Sequence, residues 1–322
     1  MNNIVLLVHM NTLMKTGDSG LIITNKKADL DTLLSAWIES IDVKPSTRIA
    51  YTGFIRAFFK WTIDTSRGLN LTAPDILAYK QYLLTNKSNL TTTAYLTAVR
   101  MFYTWTEGQG LYPNIARGIK SANRSGKYQR QYLNPKQVGD LLDKYQPGTR
   151  DYALVNLAVR TGLRTIEIVR ARIEDLTVRN GRRVLMIQGK GKDHRQDFVL
   201  LSNKASEPIH EYLNRERTGA GLGEPLFTSA SRYISGDSLS TRSIRTIVGK
   251  GLRAIGLDTR EYSAHSLRHT TAVNLIQAGA DIIDVQGVMR HTTPATTQIY
   301  LKTIAEDQRL EKATEHILDN VY

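Results

Sequence analysis

The segment between Gly108 and Gly139 contains no acidic residue, and it divides the 322-residue chain. Glycine, serine, asparagine and glutamine are frequent in it, together with six basic residues: Arg117, Lys120, Arg124, Lys127, Arg130 and Lys136. Such a composition carries much charge and offers little apolar surface to bury, so it is typical of a linker. The sequence therefore predicts two domains, each long enough to bury a core of its own.

The chain as a whole is basic. Lysine and arginine number 43 against 30 aspartates and glutamates, which gives a net charge of +13. Such an excess attracts polyanions and makes their binding sensitive to salt, so nucleic acid is the favoured partner. The charge alone is also compatible with an ordinary basic soluble protein. The linker is then either a solvated hinge or a strap along DNA phosphates, with five candidate contacts: Arg117, Lys120, Arg124, Lys127 and Arg130.

The chain has no cysteine, which excludes disulfides, thiol nucleophiles and cysteine metal sites. The apolar stretch 4–8 is short, follows no basic residue and ends at His9, so it predicts neither a signal peptide nor a membrane span. We therefore expect a cytoplasmic location and no membrane partner. Residues 1–26 show no clear period and are expected to be a loose N-terminal arm or an added start.

Residues 31–108 have helical periodicity. Apolar side chains recur at spacings of three and four in two runs: Leu33, Leu34, Trp37, Ile38 and Ile41, then Tyr51, Phe54, Ile55, Phe58 and Phe59. Four helices fit this stretch. Pro45-Ser46 begins the second, and Thr72-Ala73-Pro74-Asp75 offers the third an N-cap with proline in its first turn. The fourth begins at Asn89 or Thr91 and ends near Gly108.

The second half mixes helices with β-rich segments. Asn134-Pro135 begins a helix, and a strongly apolar helix ends at Thr161-Gly162. Residues 184–187 and 197–201 predict a hairpin, joined through the turn 189–193. Helices return beyond Ser202. The predicted fold class is mainly α with a small β-sheet (α+β), with four segments: an arm (1–26), a helical domain (27–112), the basic linker (113–132) and a second domain (133–322).

Separate segments of the second half supply the groups that phosphoryl transfer to a tyrosine requires. They are Arg164 in Thr-Gly-Leu-Arg-Thr-Ile-Glu, Lys190 in Gly-Lys-Gly-Lys, His265 and Arg268 in His-Ser-Leu-Arg-His, and His291 nine residues before Tyr300. The reaction needs neutralised phosphate oxygens, deprotonation of a phenol of pKa about 10, and a proton for the departing sugar oxygen. Guanidinium groups bind two oxygens at once and stay charged, so two arginines can clamp the phosphate.

The spacing of these residues is compatible with one site. His265 and Arg268 share a face if residues 264–276 form a helix. Thr292, Thr293 and Pro294 form a good helix start, which puts Tyr300 about two turns into a short helix beside His291.

Each residue also has a plain structural interpretation. Arg164 can pair with Glu167 on a helix surface, and His265 with Arg268 likewise. The remaining candidates can be a turn lysine, a capping histidine and a half-buried core tyrosine: Lys190, His291 and Tyr300. Glu167 is either a solvated helix residue or a residue that orients Arg164 without contacting the substrate. The joint occurrence of all the segments, in order and at workable spacings, favours the chemical interpretation.

With these motifs, the chain resembles the tyrosine recombinases of the phage-integrase and Xer type over residues 28–318. The ordered set of that family falls on Arg164, Lys190, His265, Arg268, His291 and Tyr300, and no member is missing. The resemblance implies a core-binding (SAM-like) domain at 27–112 before a catalytic domain at 133–322. Residues 1–26 are too short for the separate arm-binding domain of larger phage integrases, so the two-domain Xer-like plan fits better.

The resemblance also implies a role for each residue. Tyr300 attacks the scissile phosphate and forms a 3′-phosphotyrosyl link. Arg164 and Arg268 hold the phosphate oxygens, and His291 donates a hydrogen bond. Lys190 protonates the leaving 5′-oxygen, and His265 acts as general base or proton relay. Because the bond energy stays in the phosphotyrosine, no cofactor, ATP or metal, is expected.

The C-terminal stretch carries apolar residues at amphipathic spacing: Ile304, Leu310, Ala313 and Ile317. It is too short to fold alone, which suggests docking on a neighbouring protomer; packing on its own domain is the alternative. The resemblance implies four protomers on two double-stranded DNA sites, with possible accessory proteins.

Two competing functions stay open at this point. A type IB topoisomerase or a hairpin-forming resolvase uses a similar tyrosine and basic set, although the helical front domain and the tail argue for recombination. A DNA-binding protein that no longer cuts is the second alternative. It predicts the loss of a catalytic residue, and none is lost.

Overall fold

The computed structural model describes residues 7–8, 12–15, 21–24, 28–67, 70–123, 131–189, 194–229, 236–257 and 260–312. The chain forms two compact units that divide between Lys127 and Tyr128. Among its described residues the first unit contains four helices and four short strands: β1 (Leu7–Val8), β2 (Thr12–Lys15), β3 (Leu21–Thr24), β4 (Ala28–Asp29), α1 (Leu30–Ser40), α2 (Pro45–Asp64), α3 (Ala73–Asn86) and α4 (Asn89–Gly108).

The helices of the first unit begin where the sequence predicts. Pro45 occupies the first turn of α2, and the Thr72 backbone N–H donates to Asp75 Oδ2 at 2.8 Å, the hydrogen bond of a capping box. At the start of α4, Ser88 Oγ accepts from the Thr91 N–H at 3.2 Å. The start of α2 depends on a proline, and those of α3 and α4 depend on caps. Each signal lies within a few residues of the helix start, which is why local sequence predicts it.

An aromatic core holds the first unit together. Trp37 is fully buried and meets Phe102 edge to face, with ring centroids 5.4 Å apart. The segment after α4 adds to this core, because Ala116 and Ile119 are buried in it and Arg100 Nη2 donates to Ser121 Oγ at 2.8 Å. This part of the predicted linker therefore packs on the first unit. The composition of the linker suggested little apolar surface to bury, but two of its few apolar residues, Ala116 and Ile119, are buried in this core.

The N-terminal residues contain paired strands where the sequence suggested a loose arm. Strand β1 pairs antiparallel with β4, and β2 pairs antiparallel with β3. Runs of two to four residues are too short to show a period, although Leu-Ile-Ile-Thr in β3 has high β-propensity.

The second unit contains eight helices, a 3-10 turn and three strands among its described residues. They are α5 (Pro135–Leu142), α6 (Arg150–Thr161), α7 (Thr165–Arg170), the turn Ile173–Asp175, β5 (Leu176–Arg179), β6 (Arg182–Ile187), β7 (Asp197–Leu200), α8 (Asn203–Glu216), α9 (Thr241–Ala254), α10 (Ala264–Gln277), α11 (Ile282–Met289) and α12 (Pro294–Lys312). The mainly helical class with one small antiparallel sheet is confirmed.

The sheet has the order β5-β6-β7 and is antiparallel throughout. The predicted hairpin is β6 and β7, in which Leu185 pairs with Val199. The sequence analysis missed β5. It is joined to β6 by Asn180-Gly181, whose positive φ values of 50 and 73 belong to the asparagine-glycine turn that connects two strands.

Helices α6 and α10 pack together in the core of the second unit. Leu154, Leu157 and Leu267 are fully buried there. Such burial fixes the position of α10 relative to α6. None of the described helices is both long and apolar enough to cross a membrane.

Candidate active site

Arg164 lies at the N-cap of α7, two residues after Gly162, the C-cap of α6. Gly162 has a left-handed backbone with φ 61, and a Cβ there would lie 2.5 Å from Met289 Cε, so glycine allows α6 and α11 to approach. The Arg164 backbone N–H donates to Glu167 Oε2, and Arg164 Nη1 donates to Glu167 Oε1, both at 2.8 Å. One carboxylate thus fixes both the backbone and the guanidinium of Arg164.

Glu167 is only 2% exposed, so it is not a solvated helix residue. Burial raises its pKa, but Arg290, the Arg164 backbone N–H and the Arg164 guanidinium together hold the pKa below the ordinary value. The ion pair with Arg164 that the structural interpretation offered does exist, but it is buried rather than on a helix surface. The Arg164 side chain keeps 30% of its surface exposed, which leaves it within reach of a ligand.

Arg268 is buried in the middle of the site, with 1% of its surface exposed. Its Nη1 donates to the Gly162 carbonyl at 2.5 Å, and its Nη2 donates to the Met289 carbonyl. Both carbonyls lie at helix C-terminal ends, where the partial charge is negative. Burial lowers the pKa of Arg268 to about 10, helped by Arg164 and Arg290. The guanidinium therefore stays charged at neutral pH and is not part of a surface pair.

His265 lies in the first turn of α10, one turn before Arg268. The predicted helix is confirmed, but the two side chains differ in burial, because His265 is exposed and Arg268 is not. The His265 backbone N–H donates to the capping Ser263 Oγ at 3.1 Å. His265 acts on the site electrostatically, since it is one of the groups that lower the pKa of His291.

His291 follows the C-terminus of α11, and its ring is fixed by α12. Nδ1 of His291 lies 2.9 Å from Thr297 Oγ1, and Thr297 is fully buried. Burial, followed by the influence of Arg268, Arg164, Arg290 and His265, lowers the pKa of His291 to about 4. The imidazole is therefore neutral at physiological pH, with Nε2 left over from the bond to Thr297.

Tyr300 is the seventh residue of α12, about two turns from its start, as predicted. The helix is longer than expected and continues to Lys312. Tyr300 is 7% exposed, and its ring centroid lies 4.9 Å from that of His269 and 5.9 Å from that of His291. Burial raises the pKa of Tyr300, while Arg268 and Arg164 act to lower it. The structure thus brings five candidates into one electrostatic neighbourhood: Arg164, Arg268, His265, His291 and Tyr300.

Several candidates lie elsewhere or cannot be placed. Lys190 lies outside the described residues, as do three of the DNA-contact candidates: Arg124, Lys127 and Arg130. Arg117 is exposed and pairs with Glu107 at 2.5 Å. Lys120 is exposed, and its carbonyl accepts a hydrogen bond of 2.9 Å from Lys80 Nζ. Among the described residues no group of three or more metal-ligating side chains is close enough to hold a metal.

Sequence analysis missed three residues of this centre: His269, Arg290 and Thr297. His269 was part of the quoted His-Ser-Leu-Arg-His string, but its ring contact with Tyr300 depends on how α10 packs against α12. Arg290 has a left-handed backbone that no local pattern announces. Thr297 lies six residues after His291, a spacing that becomes a contact only because α12 turns back.

The described part of the tail after Tyr300 contains one buried and one exposed residue of the amphipathic stretch. Ile304 is buried in a small cluster with Tyr300, Val285 and Met289, so it packs on its own unit. Leu310 is 78% exposed. Ala313 and Ile317 lie outside the described part of the chain.

Known proteins share this architecture. A XerH site-specific recombinase bound to palindromic difH substrate in a post-cleavage complex matches with a TM-score of 0.67 at 21% identity, covering 89% of this chain and 94% of that one. A lambda integrase tetramer bound to a Holliday junction matches with a TM-score of 0.64 at 16% identity, covering 84% and 76%. At these identities the likeness establishes the fold.

Sequence comparison gives the family. The tyrosine recombinase XerC of Mycobacterium sp. (strain JLS) is 29% identical over 268 residues, which cover 79% of this chain and 87% of that protein. The sequence model of the phage integrase family matches residues 131–306, which include every candidate catalytic residue from Arg164 to Tyr300. The chain belongs to the phage integrase family.

Proposed function

We propose that this protein is a site-specific DNA recombinase that cuts and rejoins double-stranded DNA through a 3′-phosphotyrosyl intermediate at Tyr300. The observation that carries the proposal is the place of Tyr300: its ring lies against those of His269 and His291, and Arg164 and Arg268, two arginines from different helices, act on its phenol. Such a pair neutralises the non-bridging oxygens of a phosphodiester placed beside the phenol. The XerC relative and the XerH complex are both recombinases, which favours strand exchange over a topoisomerase, a hairpin-forming resolvase or a protein that only binds DNA.

Both arginines keep donors for a phosphate. Each terminal guanidinium nitrogen carries two hydrogens, so a single bond from each leaves a second hydrogen available. Arg164 directs Nη1 to Glu167 and is partly exposed. Arg268 spans two backbone carbonyls and is held rigidly. Arg164 contributes an accessible clamp, and Arg268 contributes a preorganised charge that needs no rearrangement.

In the proposed reaction, Tyr300 Oη attacks the scissile phosphorus and the bond from phosphorus to the 5′-oxygen breaks. The phenol proton passes to His265, the exposed histidine, and Lys190 delivers a proton to the leaving 5′-oxygen. His291 donates from Nε2 to a phosphate oxygen, which its neutral form allows when Nδ1 accepts from Thr297. The phosphotyrosyl ester conserves the energy of the broken bond, so a partner 5′-hydroxyl reverses the step without ATP.

The domain roles follow from this reaction. Residues 27–112 form the core-binding domain, 113–132 the basic linker and 133–322 the catalytic domain. Arg117 and Lys120, with the linker's other basic residues, contact DNA phosphates. Four protomers assemble on two DNA sites, and the exposed Leu310 docks on a neighbour together with residues 313–322. Because its substrate is DNA, we also propose that the protein acts in the cytoplasm.

Covalent trapping tests the proposal. Nicked suicide fragments from the source genome, incubated with the protein, should yield a protein–DNA band on a denaturing gel, and sequencing the trapped DNA gives the site. Tyr300→Phe should yield no band but bind DNA nearly as well, since affinity comes from many phosphate contacts. Tyr145→Phe is the matched control, because the Tyr145 hydroxyl donates to the Ile247 carbonyl and Tyr145 is not one of the candidate catalytic residues. A band from Tyr300→Phe would refute the assignment.

A further inference from the structure

Arg290 ends α11 in a conformation that arginine rarely adopts. Its φ of 53 and ψ of 48 lie in the left-handed region, which favours glycine and, less strongly, asparagine. This geometry closes the helix, because the Arg290 N–H bonds the Gly287 carbonyl at 3.0 Å and the His291 N–H bonds the Gln286 carbonyl at 3.2 Å. Glycine would form the same cap without strain, so the cap does not explain an arginine here.

The side chain of Arg290 turns into the protein. Only 9% of it is exposed, and its Nη2 donates to Glu167 Oε2 at 2.9 Å. Nη1 donates to the nearby Val288 carbonyl at 2.7 Å, while Nε is buried and has no hydrogen-bond partner among the described residues. Burying a guanidinium with one unfilled donor opposes folding, as does the backbone conformation. Two such costs at one residue beside the candidate centre point to a function.

Glu167 connects Arg290 to the phosphate clamp. Its Oε1 accepts from Arg164 Nη1, and its Oε2 accepts from both the Arg164 N–H and Arg290 Nη2. Without Arg290, the buried Oε2 of Glu167 would accept only from the Arg164 N–H, and the Glu167 carboxylate would cancel the charge of the Arg164 guanidinium. With Arg290, the carboxylate is shared between two guanidinium groups and Arg164 keeps net positive charge for a ligand.

The charge of the centre agrees with the proposed reaction. Three guanidinium groups and one carboxylate interact there, those of Arg164, Arg268, Arg290 and Glu167. Their formal charges leave two positive charges among these described residues, and only one if Arg290 is removed. A phosphodiester carries one negative charge, whereas the pentacoordinate species formed by phenolate attack carries two. A centre with both positive charges therefore stabilises the transition state more than the bound substrate.

We infer that Arg290 is a positioning residue for DNA cleavage: it holds Glu167, through it sets Arg164, and gives the centre the charge of the pentacoordinate phosphate. This inference rests on the proposed function of Tyr300. It assigns Arg290 no contact with DNA.

Arg290→Gly tests the inference, since glycine suits the backbone and removes the charge. On a trapped DNA site, single-turnover formation of the covalent complex should slow roughly ten- to a hundredfold, less than the 10²–10³ that loss of a direct donor costs. DNA affinity should barely change. Arg290→Lys should recover part of the rate. Asn180→Gly is the matched control, because it relieves a similar backbone (φ 50) in the turn between β5 and β6 and should cleave at the wild-type rate.

A second measurement needs no DNA. In protein labelled with ¹³C-histidine, nuclear magnetic resonance follows the titration of His291, which faces Arg164, Arg268, Arg290 and His265. Arg290→Gly should raise the pKa of His291 by removing a positive neighbour, and Arg290→Lys should raise it less. If Arg290 contributed no charge to this centre, its replacement would alter stability and leave the His291 titration in place.

Wild-type cleavage by a folded Arg290→Gly, or an unchanged His291 titration, would overturn the inference. If Arg290→Gly does not fold, Arg290→Lys and Arg290→Gln take its place, because both keep a long side chain and differ in charge. Equal cleavage rates for these two variants would then overturn the inference. If wild-type protein forms no covalent complex, the proposed function of Tyr300 fails instead. The His291 titration still decides whether Arg290 charges this centre.

Discussion

Tyr132 Oη donates a hydrogen bond of 2.7 Å to Asp307 Oδ2, across 175 positions of sequence. Asp307 lies on α12 seven residues after Tyr300, and therefore on the same face of that helix. The Tyr132 ring also lies 5.9 Å from the His269 ring, which in turn contacts Tyr300. Tyr132, three residues before the start of α5, thus helps to hold the helix that carries Tyr300.

We predict that Tyr132→Phe slows formation of the covalent complex severalfold while DNA affinity stays constant, because α12 loses an anchor outside the DNA surface. The lost bond to a half-buried carboxylate should lower the free energy of unfolding by about 1 kcal/mol, or the Tm by about 2–4 °C. Asp307→Asn keeps an acceptor and should have a smaller effect. Equal cleavage by wild type and Tyr132→Phe would show that the bond serves stability alone.

Local sequence predicted the elements whose signals are local. The starts of α2, α3 and α5 depend on Pro45, Thr72 and Asn134, each of which acts within its own first turn. The strand β5 was missed because Val178 is exposed and its segment shows no clear alternation. The Asn180-Gly181 turn was the available signal.

The candidate site was found from motif order, but its inner contacts could not be. The pairing of Glu167 with Arg290 joins residues 123 positions apart, and it depends on a backbone conformation that arginine seldom adopts. The contact between Tyr132 and Asp307 likewise exists only once α5, α10 and α12 have packed. A single sequence indicates which chemical groups a reaction needs. The residues that hold those groups in place, such as Arg290 and Tyr132, depend on the tertiary fold.

Thr297 should set the tautomer of His291. If Thr297 Oγ1 donates to Nδ1, the proton of the neutral ring lies on Nε2, where it can meet a phosphate oxygen. We predict that Thr297→Ser cleaves at nearly the wild-type rate and that Thr297→Val is severalfold slower. ¹⁵N chemical shifts of His291 should report protonated Nε2 in wild type and a mixture in Thr297→Val. A wild-type spectrum for Thr297→Val would contradict this role.

His291 should make stability depend on pH below neutrality. Its folded pKa of about 4 lies below the ordinary 6.5, so between these values the unfolded chain binds a proton that the folded chain does not. The free energy of unfolding therefore rises with pH across this window, and the stability is lost as pH falls. The shift corresponds to about 3 kcal/mol before solvent screening, which reduces it at a half-buried ring.

Urea unfolding of wild type and His291→Gln, followed from neutral pH to about pH 4.5, measures this contribution. Wild type should lose more free energy of unfolding than the variant across the range. Parallel curves would mean that His291 titrates alike in the folded and unfolded chains.

Arg164→Lys and Arg268→Lys should both be severely defective in cleavage, by about 10²–10³, because an ammonium group cannot make a two-pronged contact. The two variants should differ in stability. Arg268 joins the carbonyls of Gly162 and Met289, and lysine cannot span both, so its Tm should fall. Arg164 is partly exposed, and its Tm should change less. Near-normal cleavage by either variant would assign that arginine to structure.

The tail requires a truncation that spares the nucleophile helix. Ending the chain after Lys302 would remove Ile304, which packs beside Tyr300, and Asp307, which binds Tyr132. Its effects would mix loss of assembly with loss of the site. Truncation after Lys312 keeps both contacts. We predict that this variant still forms the covalent complex on a single DNA site but recombines poorly, with fewer tetramers on paired sites by analytical ultracentrifugation. Undiminished recombination would show that residues 313–322 do not dock on a neighbour. Leu310→Glu in the full chain would then test whether the C-terminal end of α12 docks there instead.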